Sequence, residues 1–240
     1  MYNGYNLQGI IRRNVVNTMH QFEKFGYYSQ NIGNAYTHGY KAIRFDDVLD
    51  EQGYVSGALR TNHAQGAFQI TQNPLDVGIK GAGFIPITSL GGEIYYTRDG
   101  SFTLDKNGYL VTTSGDLVGG GIRIDASSAK VEIRKNGEVY TYKDPSSEGV
   151  YCGTIPLVQF ANPDGLEECG KNRYSATEKS GEISLVEDHN RIAQYGIERS
   201  NVDIFATVDE LMRLNTSLLA STSLMSAIGD MYDKAINIRE

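Results

Sequence analysis

The two ends of this 240-residue chain carry the same hydrophobic repeat, and the region between them lacks it. In the N-terminal repeat, apolar or small residues recur in alternating steps of four and three: Ile11, Val15, Thr18, Phe22, Phe25, Ser29 and Ile32. The C-terminal repeat has the same spacing: Leu211, Leu214, Leu218, Ser221, Met225, Ile228, Tyr232 and Ala235. A period of 3.5 residues lets one helix pack along another. The repeats therefore predict two terminal helices that pair and that join copies of the chain.

The region between the helices has the regularly placed turns of antiparallel β structure. Apolar runs of three to six residues alternate with turns, and Asn107-Gly108 and Asn136-Gly137 each separate two such runs. Asn-Gly is a strong hairpin signal, in its tightest form with both residues at positive φ. We therefore predict an α+β protein with coiled-coil-like terminal helices and a mostly antiparallel β middle domain.

The same patterns predict the domain boundaries. Residues 1–36 and 201–240 form the terminal helical domain, residues 37–66 an extended connector, and residues 67–200 the β domain. Within the connector, Phe45-Asp46-Asp47-Val48-Leu49 is interpreted as a short helical turn. Gly26 and Gly33 each weaken the first helix by about 1 kcal/mol relative to alanine, so that helix is expected to need a partner.

Charge and hydropathy exclude some functions. A net charge of −7 argues against general nucleic-acid binding, and no apolar run approaches the length of about 20 residues that crosses a bilayer. We therefore expect neither a nucleic-acid partner nor membrane insertion. The first six residues lack the basic and apolar regions of a cleavable signal peptide. Residues 1–44 hold five basic side chains and one acidic, and residues 201–240 three basic and six acidic, so the terminal helices either attract one another or carry solvated charges.

The residue types that support catalysis or metal binding are scattered. The four histidines form no ligand-like pair, and Gly119-Gly120-Gly121 lacks the spacing of a phosphate-binding loop. The acidic cluster of Asp46, Asp47, Asp50 and Glu51 is interpreted as a solvated face. Cys152 and Cys169 are either a disulfide or two free thiols. We predict no enzymatic activity, catalytic residue, cofactor or metal site.

Five stretches, in order along the chain, resemble the signatures of bacterial flagellar rod and hook proteins. They are Asn31-Ile32-Gly33-Asn34-Ala35-Tyr36-Thr37-His38-Gly39-Tyr40-Lys41, Asn73-Pro74-Leu75-Asp76-Val77-Gly78-Ile79-Lys80-Gly81-Ala82-Gly83-Phe84, Tyr96-Thr97-Arg98-Asp99-Gly100-Ser101-Phe102, Phe160-Ala161-Asn162-Pro163-Asp164-Gly165-Leu166, and Gly196-Ile197-Glu198-Arg199-Ser200-Asn201-Val202-Asp203. Two departures from the family are the Tyr-, Asn- and Gly-rich first nine residues and Asn215-Thr216-Ser217-Leu218-Leu219-Ala220, where relatives have Gln-Arg-Ala-Tyr-Glu.

This resemblance implies a structural subunit of the flagellar basal body. Such proteins leave the cytoplasm unfolded through the type III export apparatus, build a hollow helical tube across the periplasm and transmit torque from motor to hook. The implied partners are copies of the chain, other rod and hook subunits, the export apparatus and the rings around the rod. The inner layer of the tube would be built by the terminal helices, here through Ile11, Val15, Phe22, Phe25, Ile32, Leu211, Leu214, Leu218, Met225, Ile228 and Tyr232.

Three alternatives remain open at this point. The length favours a distal rod subunit, with a proximal rod or hook-type axial subunit next. A secreted β-domain that binds a carbohydrate or a partner surface, with helices that only trimerise, is a third interpretation.

Overall fold

A computed structural model of the protein describes residues 7–49, 55–144, 147–186 and 191–237. These residues form two compact units. The first contains the described residues up to Asn34, the described part of Ile43–Thr61 and the described residues from Val202 onward; the second contains Ala35–Ala42 and the described part of Asn62–Asn201.

The first unit consists of two helices and a hairpin. Helix α1 spans Leu7–Gly33 and helix α2 spans Ile204–Asn237. Strands β1 (Ile43–Leu49) and β2 (Val55–Thr61) pair antiparallel. Both predicted helices are thus present. The predicted helical turn at residues 45–49 is wrong, because these residues form β1 within the expected connector.

Contacts with α1 explain why residues 43–49 are a strand. The ring of Phe45 lies 6.2 Å from that of Tyr27, and Lys24 Nζ lies 5.4 Å from the centroid of the same ring. A Cβ on Gly57, in β2, would overlap the Phe45 ring, so this glycine makes room for it. At the start of β1, Asn31 donates to the carbonyl oxygen of Ile43 at 2.8 Å and accepts from its N–H at 2.9 Å. Tertiary contacts of this kind override a short helical pattern.

The second unit contains the other strands and two 3₁₀ turns. The strands are β3 (Phe68–Ile70), β4 (Val77–Ile79), β5 (Ile85–Thr88), β6 (Ile94–Thr97), β7 (Phe102–Leu104), β8 (Leu110–Thr112), β9 (Leu117–Val118), β10 (Lys130–Ile133), β11 (Glu138–Tyr142), β12 (Val150–Thr154), β13 (Val158–Phe160), β14 (Glu167–Glu168), β15 (Tyr174–Ser175), β16 (Ile183–Leu185), β17 (Ile192–Gln194) and β18 (Gly196–Glu198). The 3₁₀ turns are η1 (Pro163–Gly165) and η2 (Glu178–Ser180).

The pairing between these strands is antiparallel throughout the described residues, which confirms the predicted α+β class. The largest sheet has the order β14-β15-β6-β5-β9-β8-β7, and β10-β11-β12 form a second sheet. Strand β4 pairs with β17 and β3 with β18, so strands from the two ends of the unit lie side by side.

The core of the second unit contains these buried residues: Val77, Ile79, Ile85, Ile87, Phe102, Leu110, Val118, Ile122, Ile124, Ile133, Val139, Ile155, Leu157 and Ile192. A smaller cluster contains Phe84, Tyr96, Val158, Phe160 and Tyr174.

Both predicted Asn-Gly hairpins are present, with a different turn. Gly108 and Gly137 have φ of +83° and +88°, whereas Asn107 and Asn136 do not have positive φ. The N–H of Gly108 donates to the carbonyl oxygen of Asp105 at 3.1 Å, and that of Gly137 to Arg134 at 2.9 Å. In each turn the N–H of residue i+3, a glycine with positive φ, thus bonds to the carbonyl oxygen of residue i. This pattern is typical of hairpin loops longer than two residues, in which only one residue needs positive φ.

Candidate assembly surface

Helices α1 and α2 pack against each other within the first unit. Gln21 Nε2 donates to Ser217 Oγ at 2.8 Å, and Asn14 Nδ2 donates to the carbonyl oxygen of Ser221 at 3.3 Å. Because higher numbers on α1 pair with lower numbers on α2, the two helices run antiparallel.

The predicted repeat of α2 lies mostly on the side that α1 covers. Leu214 and Ile228 are buried, with 8% and 7% of their surface exposed. Leu211, Leu218 and Met225 are half-buried, and Tyr232 is exposed. This pattern matches a helix with one face against a partner, since fully burying a leucine stabilises by about 1.5–3 kcal/mol.

The predicted repeat of α1 is only partly covered. Ile11 and Ile32 are half-buried, whereas Val15, Phe22 and Phe25 are exposed, Phe22 to 60%. Beside them lies an apolar groove of about 300 Å³, lined by Val15, Thr18, Met19, Phe22, Ser221, Thr222 and Met225. The first unit therefore leaves part of its apolar surface open.

A second apolar stripe on α2 escaped the sequence analysis. Phe205, Met212 and Leu219 follow one another at steps of seven and are exposed, Phe205 to 89% and Leu219 to 61%. Leu224 and Met231, also seven apart, are exposed as well. The steps of seven are present in the sequence, but the predicted repeat covers only one face of α2.

The acidic cluster on the hairpin forms ion pairs. Asp47 accepts from Lys24 Nζ at 2.7 Å, and Asp46 lies 3.3 Å from Arg60 Nε. Asp50 and Glu51 lie outside the described residues. Surface pairs of this kind contribute about 0–1 kcal/mol each.

A buried ion network lies in the second unit and was not predicted. Glu198 Oε1 accepts from Lys41 Nζ at 2.6 Å and from the N–H of Gly66 at 2.7 Å. Its Oε2 accepts from Arg98 Nε at 2.8 Å and Nη2 at 2.6 Å. The side chains of Lys41 and Glu198 are completely buried, and that of Arg98 is 3% exposed.

The network's remaining donors are also bonded. Lys41 Nζ donates to the carbonyl oxygen of Ala64 at 2.7 Å, and Arg98 donates to those of Gly83 and Gly81 at 2.6 Å and 2.9 Å. Burial, with the nearby Arg98 charge, lowers the pKa of Lys41, while Glu198 opposes that shift. Lys41, Arg98 and Glu198 each belong to one of the family-like stretches, which was the only sequence signal for their pairing.

His63 packs beside this network. Its ring contacts Phe84 and Tyr174 with centroid distances of 6.0 Å and 6.3 Å. Burial lowers its pKa, and the charges of Lys41 and Arg98 lower it further against the opposing carboxylate of Asp164.

The described residues show little that would support metal binding, a disulfide or membrane insertion. The described residues hold no cluster of three or more His, Cys, Asp or Glu side chains arranged to bind a metal. Cys152 and Cys169 are free thiols. Within the described part of the chain, neither helix is long and apolar enough to span a membrane.

Comparison with known proteins identifies the family. The family model of the flagellar hook protein FlgE/F/G D1 domain matches residues 78–141. The flagellar basal-body rod protein FlgG of Buchnera aphidicola subsp. Schizaphis graminum is 32% identical over 234 residues, covering 86% of this chain and 90% of the relative. FlgG of Caulobacter vibrioides is 29% identical over 240 residues, with 88% and 92% covered. FlgF of the same organism is 28% identical over 225 residues, with 87% and 88% covered.

The chain therefore belongs to the family of bacterial flagellar rod and hook proteins, whose members are structural. Within that family its likeness is to the distal rod protein FlgG, and it is a structural subunit of the flagellar basal-body rod.

Proposed function

We propose that this subunit assembles through its terminal helices into the helical tube of the rod. The observation that carries the proposal is the second apolar stripe of α2, made of Phe205, Met212 and Leu219. Another part of α2 already packs on α1, yet this stripe is exposed. Exposed apolar side chains that line up along one side of a helix mark a protein–protein contact. In a polymer, the stripe would pack against the helices of neighbouring copies.

In this assembly the paired helices form the inner layer in a coiled-coil-like arrangement, and the β domain lies outside it. The interface includes the predicted residues Ile11, Val15, Phe22, Phe25, Ile32, Leu211, Leu214, Leu218, Met225, Ile228 and Tyr232. Support comes from the exposed α1 residues and the apolar groove beside them, which a neighbour's side chains would fill.

Family membership supports a proposal for the position of the subunit. We propose export by the flagellar type III apparatus, a place in the distal part of the periplasmic rod, and torque transmission from motor to hook. Its partners would be copies of itself, adjoining rod and hook subunits, the export apparatus and the rings around the rod. The likeness to FlgG supports the distal position over the proximal one.

Leu219→Asp tests the assembly. Leu219 is already exposed in the single chain, so we expect an unchanged thermal midpoint of unfolding. In the polymer the aspartate would have to be desolvated at every subunit contact, and the lost burial of one leucine alone is worth about 1.5–3 kcal/mol. We therefore expect loss of filament formation at high concentration, measured by sedimentation and electron microscopy, and loss of motility in cells.

Asn215→Asp is the matched control: it adds the same charge one helical turn from Leu219, but it replaces an exposed polar side chain and removes no apolar surface. It should polymerise like the unchanged chain. Equal polymerisation of the two variants would contradict the role of the stripe.

A further inference from the structure

A basic groove lies on the second unit, which otherwise has an excess of acidic residues. The groove has a volume of about 820 Å³ and lies between the β7–β8 turn and the β11–β12 strands. Its lining includes three exposed cations, Lys106, Arg123 and Lys143, and one carboxylate, Asp125. Among the described residues, none of the three cations has a carboxylate within ion-pair distance. Positive charge is therefore in excess among the residues that line the groove.

The carboxylate of Asp125 does not neutralise the groove. It accepts from the N–H of Ser127 at 3.0 Å, and this hydrogen bonding is the main cause of its lowered pKa. Arg123 and Lys143 lower that pKa only as smaller, through-space contributions. Three cations against one carboxylate leave a local excess of two positive charges.

A surface with an excess of negative charge lies elsewhere on the same unit. This acidic lobe consists of the exposed carboxylates in η1, β14, η2 and the residues after η2: Asp164, Glu167, Glu168, Glu178 and Glu182. Its cations are fewer, namely Lys171, Lys179 and Arg173, and Arg173 already bonds both carboxylate oxygens of Asp116 at 3.3 Å. None of the four glutamates has an ion-pair partner among the described residues.

The lobe is a preformed surface. A Cβ on Gly165 would lie 2.3 Å from the carbonyl carbon of Lys179, so η1 and η2 touch through their backbones. Asn162 Nδ2 donates to the carbonyl oxygen of Lys179 at 2.8 Å, and Thr177 Oγ1 bonds the carbonyl oxygen of Gly165. Rigid charged surfaces lose little entropy when they bind.

We propose that the basic groove of one copy receives the acidic lobe of a second copy in the rod. The inference rests on the proposed assembly and adds a contact between β domains to it. Groove and lobe are different patches, so the contact is heterologous: each copy keeps a free groove and a free lobe, and the contact repeats along a helical polymer. A chain of net charge −7 otherwise repels its own copies. Charge complementarity offsets that repulsion and fixes the register between neighbours.

Charge reversal and its rescue test the contact in the full-length chain. One variant carries Lys106→Glu and Arg123→Glu in the groove, and a second carries Glu167→Lys and Glu168→Lys in the lobe. We expect each to raise the critical concentration for polymerisation about tenfold or more at low salt, because like charges would then face each other. A 1:1 mixture of the two, or one chain with all four changes, should return it to within about twofold of the unchanged chain.

Controls separate this contact from the helical interface. Lys135→Glu reverses an exposed lysine outside both patches and should have little effect. All substituted side chains are exposed, so the thermal midpoint should stay constant in every variant. Polymerisation that is unaffected by either reversal, or a mixture that fails to recover, would overturn the proposal. Loss of polymerisation in Leu219→Asp, with no effect of the charge reversals, would leave the proposed function standing and reject only this contact.

Discussion

Glu198→Gln should strongly destabilise the second unit, although glutamine has almost the same shape as glutamate. The side chain keeps its shape but loses its charge, and Lys41 and Arg98 remain as two buried cations without a counter-ion. Each carboxylate oxygen accepts from two donors, so the amide NH₂ must face donors whichever way it turns.

The size of the effect follows from this geometry. Removing one partner of a buried ion pair costs about 3–5 kcal/mol, since the remaining charge stays desolvated. For a unit of this size, 1 kcal/mol shifts the midpoint by about 2–4 °C, so the expected drop in Tm is about 6–20 °C. Calorimetry or circular dichroism of the full chain would measure it.

Two comparisons make the result specific. Glu148→Gln removes an exposed carboxylate and should leave the midpoint unchanged. Replacing Lys41, Arg98 and Glu198 together by methionine should recover part of the loss, because the buried charges are removed together. Recovery should be incomplete, because the backbone groups of Ala64, Gly66, Gly81 and Gly83 lose their hydrogen-bond partners. An equal midpoint for Glu198→Gln and Glu148→Gln would refute the assignment of a buried network.

Two further predictions concern the second unit. Gly137→Ala should lower the thermal midpoint of unfolding more than Gly120→Ala. Both glycines have positive φ, but only at Gly137 would a Cβ lie 2.3 Å from a backbone oxygen, that of Ile155. Equal midpoints for the two variants would contradict this close approach. The lowered pKa of His63 means that the folded state disfavours its proton, so stability should be complete above the unfolded value of about 6.5 and fall as the pH drops below it. Thermal scans at pH 7.5 and 5.5 should show a smaller drop in Tm on acidification in His63→Asn than in His38→Asn. An equal drop in both variants would exclude His63 as the cause of the acid-induced loss of stability.

Sequence reasoning succeeded where the structural signal is local. The repeat spacing predicted both helices, and the Asn-Gly pairs predicted both hairpins, because each depends on residues close in sequence. It failed at β1, where Phe-Asp-Asp-Val-Leu has the apolar spacing of a helical turn. The contacts that decide the strand come from other elements. The ring of Tyr27 packs beside that of Phe45, and Gly57 leaves room for the Phe45 ring.

The candidate site shows the same division. The repeat of α2 predicts that one face of the helix packs against a partner, but whether Leu219 is covered depends on which face α1 occupies, and spacing alone does not state that. The buried network was missed for a related reason. Glu198 lies 157 residues from Lys41 and 100 from Arg98, and a charged residue in a single sequence is by default assigned to the surface.

Contacts between the two ends of the chain determine when each unit can finish folding. Helix α1 packs on α2, β3 and β4 pair with β18 and β17, and Lys41 pairs with Glu198, so the first and last thirds of the chain meet in both units. Long-range pairings of this kind form late and slowly, because the entropy of closing the chain is lost before the contacts stabilise it. Until Glu198 is available, Lys41 and Arg98 would be two buried cations without a counter-ion, which disfavours a prematurely closed β unit. A subunit that crosses an export channel unfolded, as proposed here, would therefore reach its folded state only after its C-terminal third has emerged.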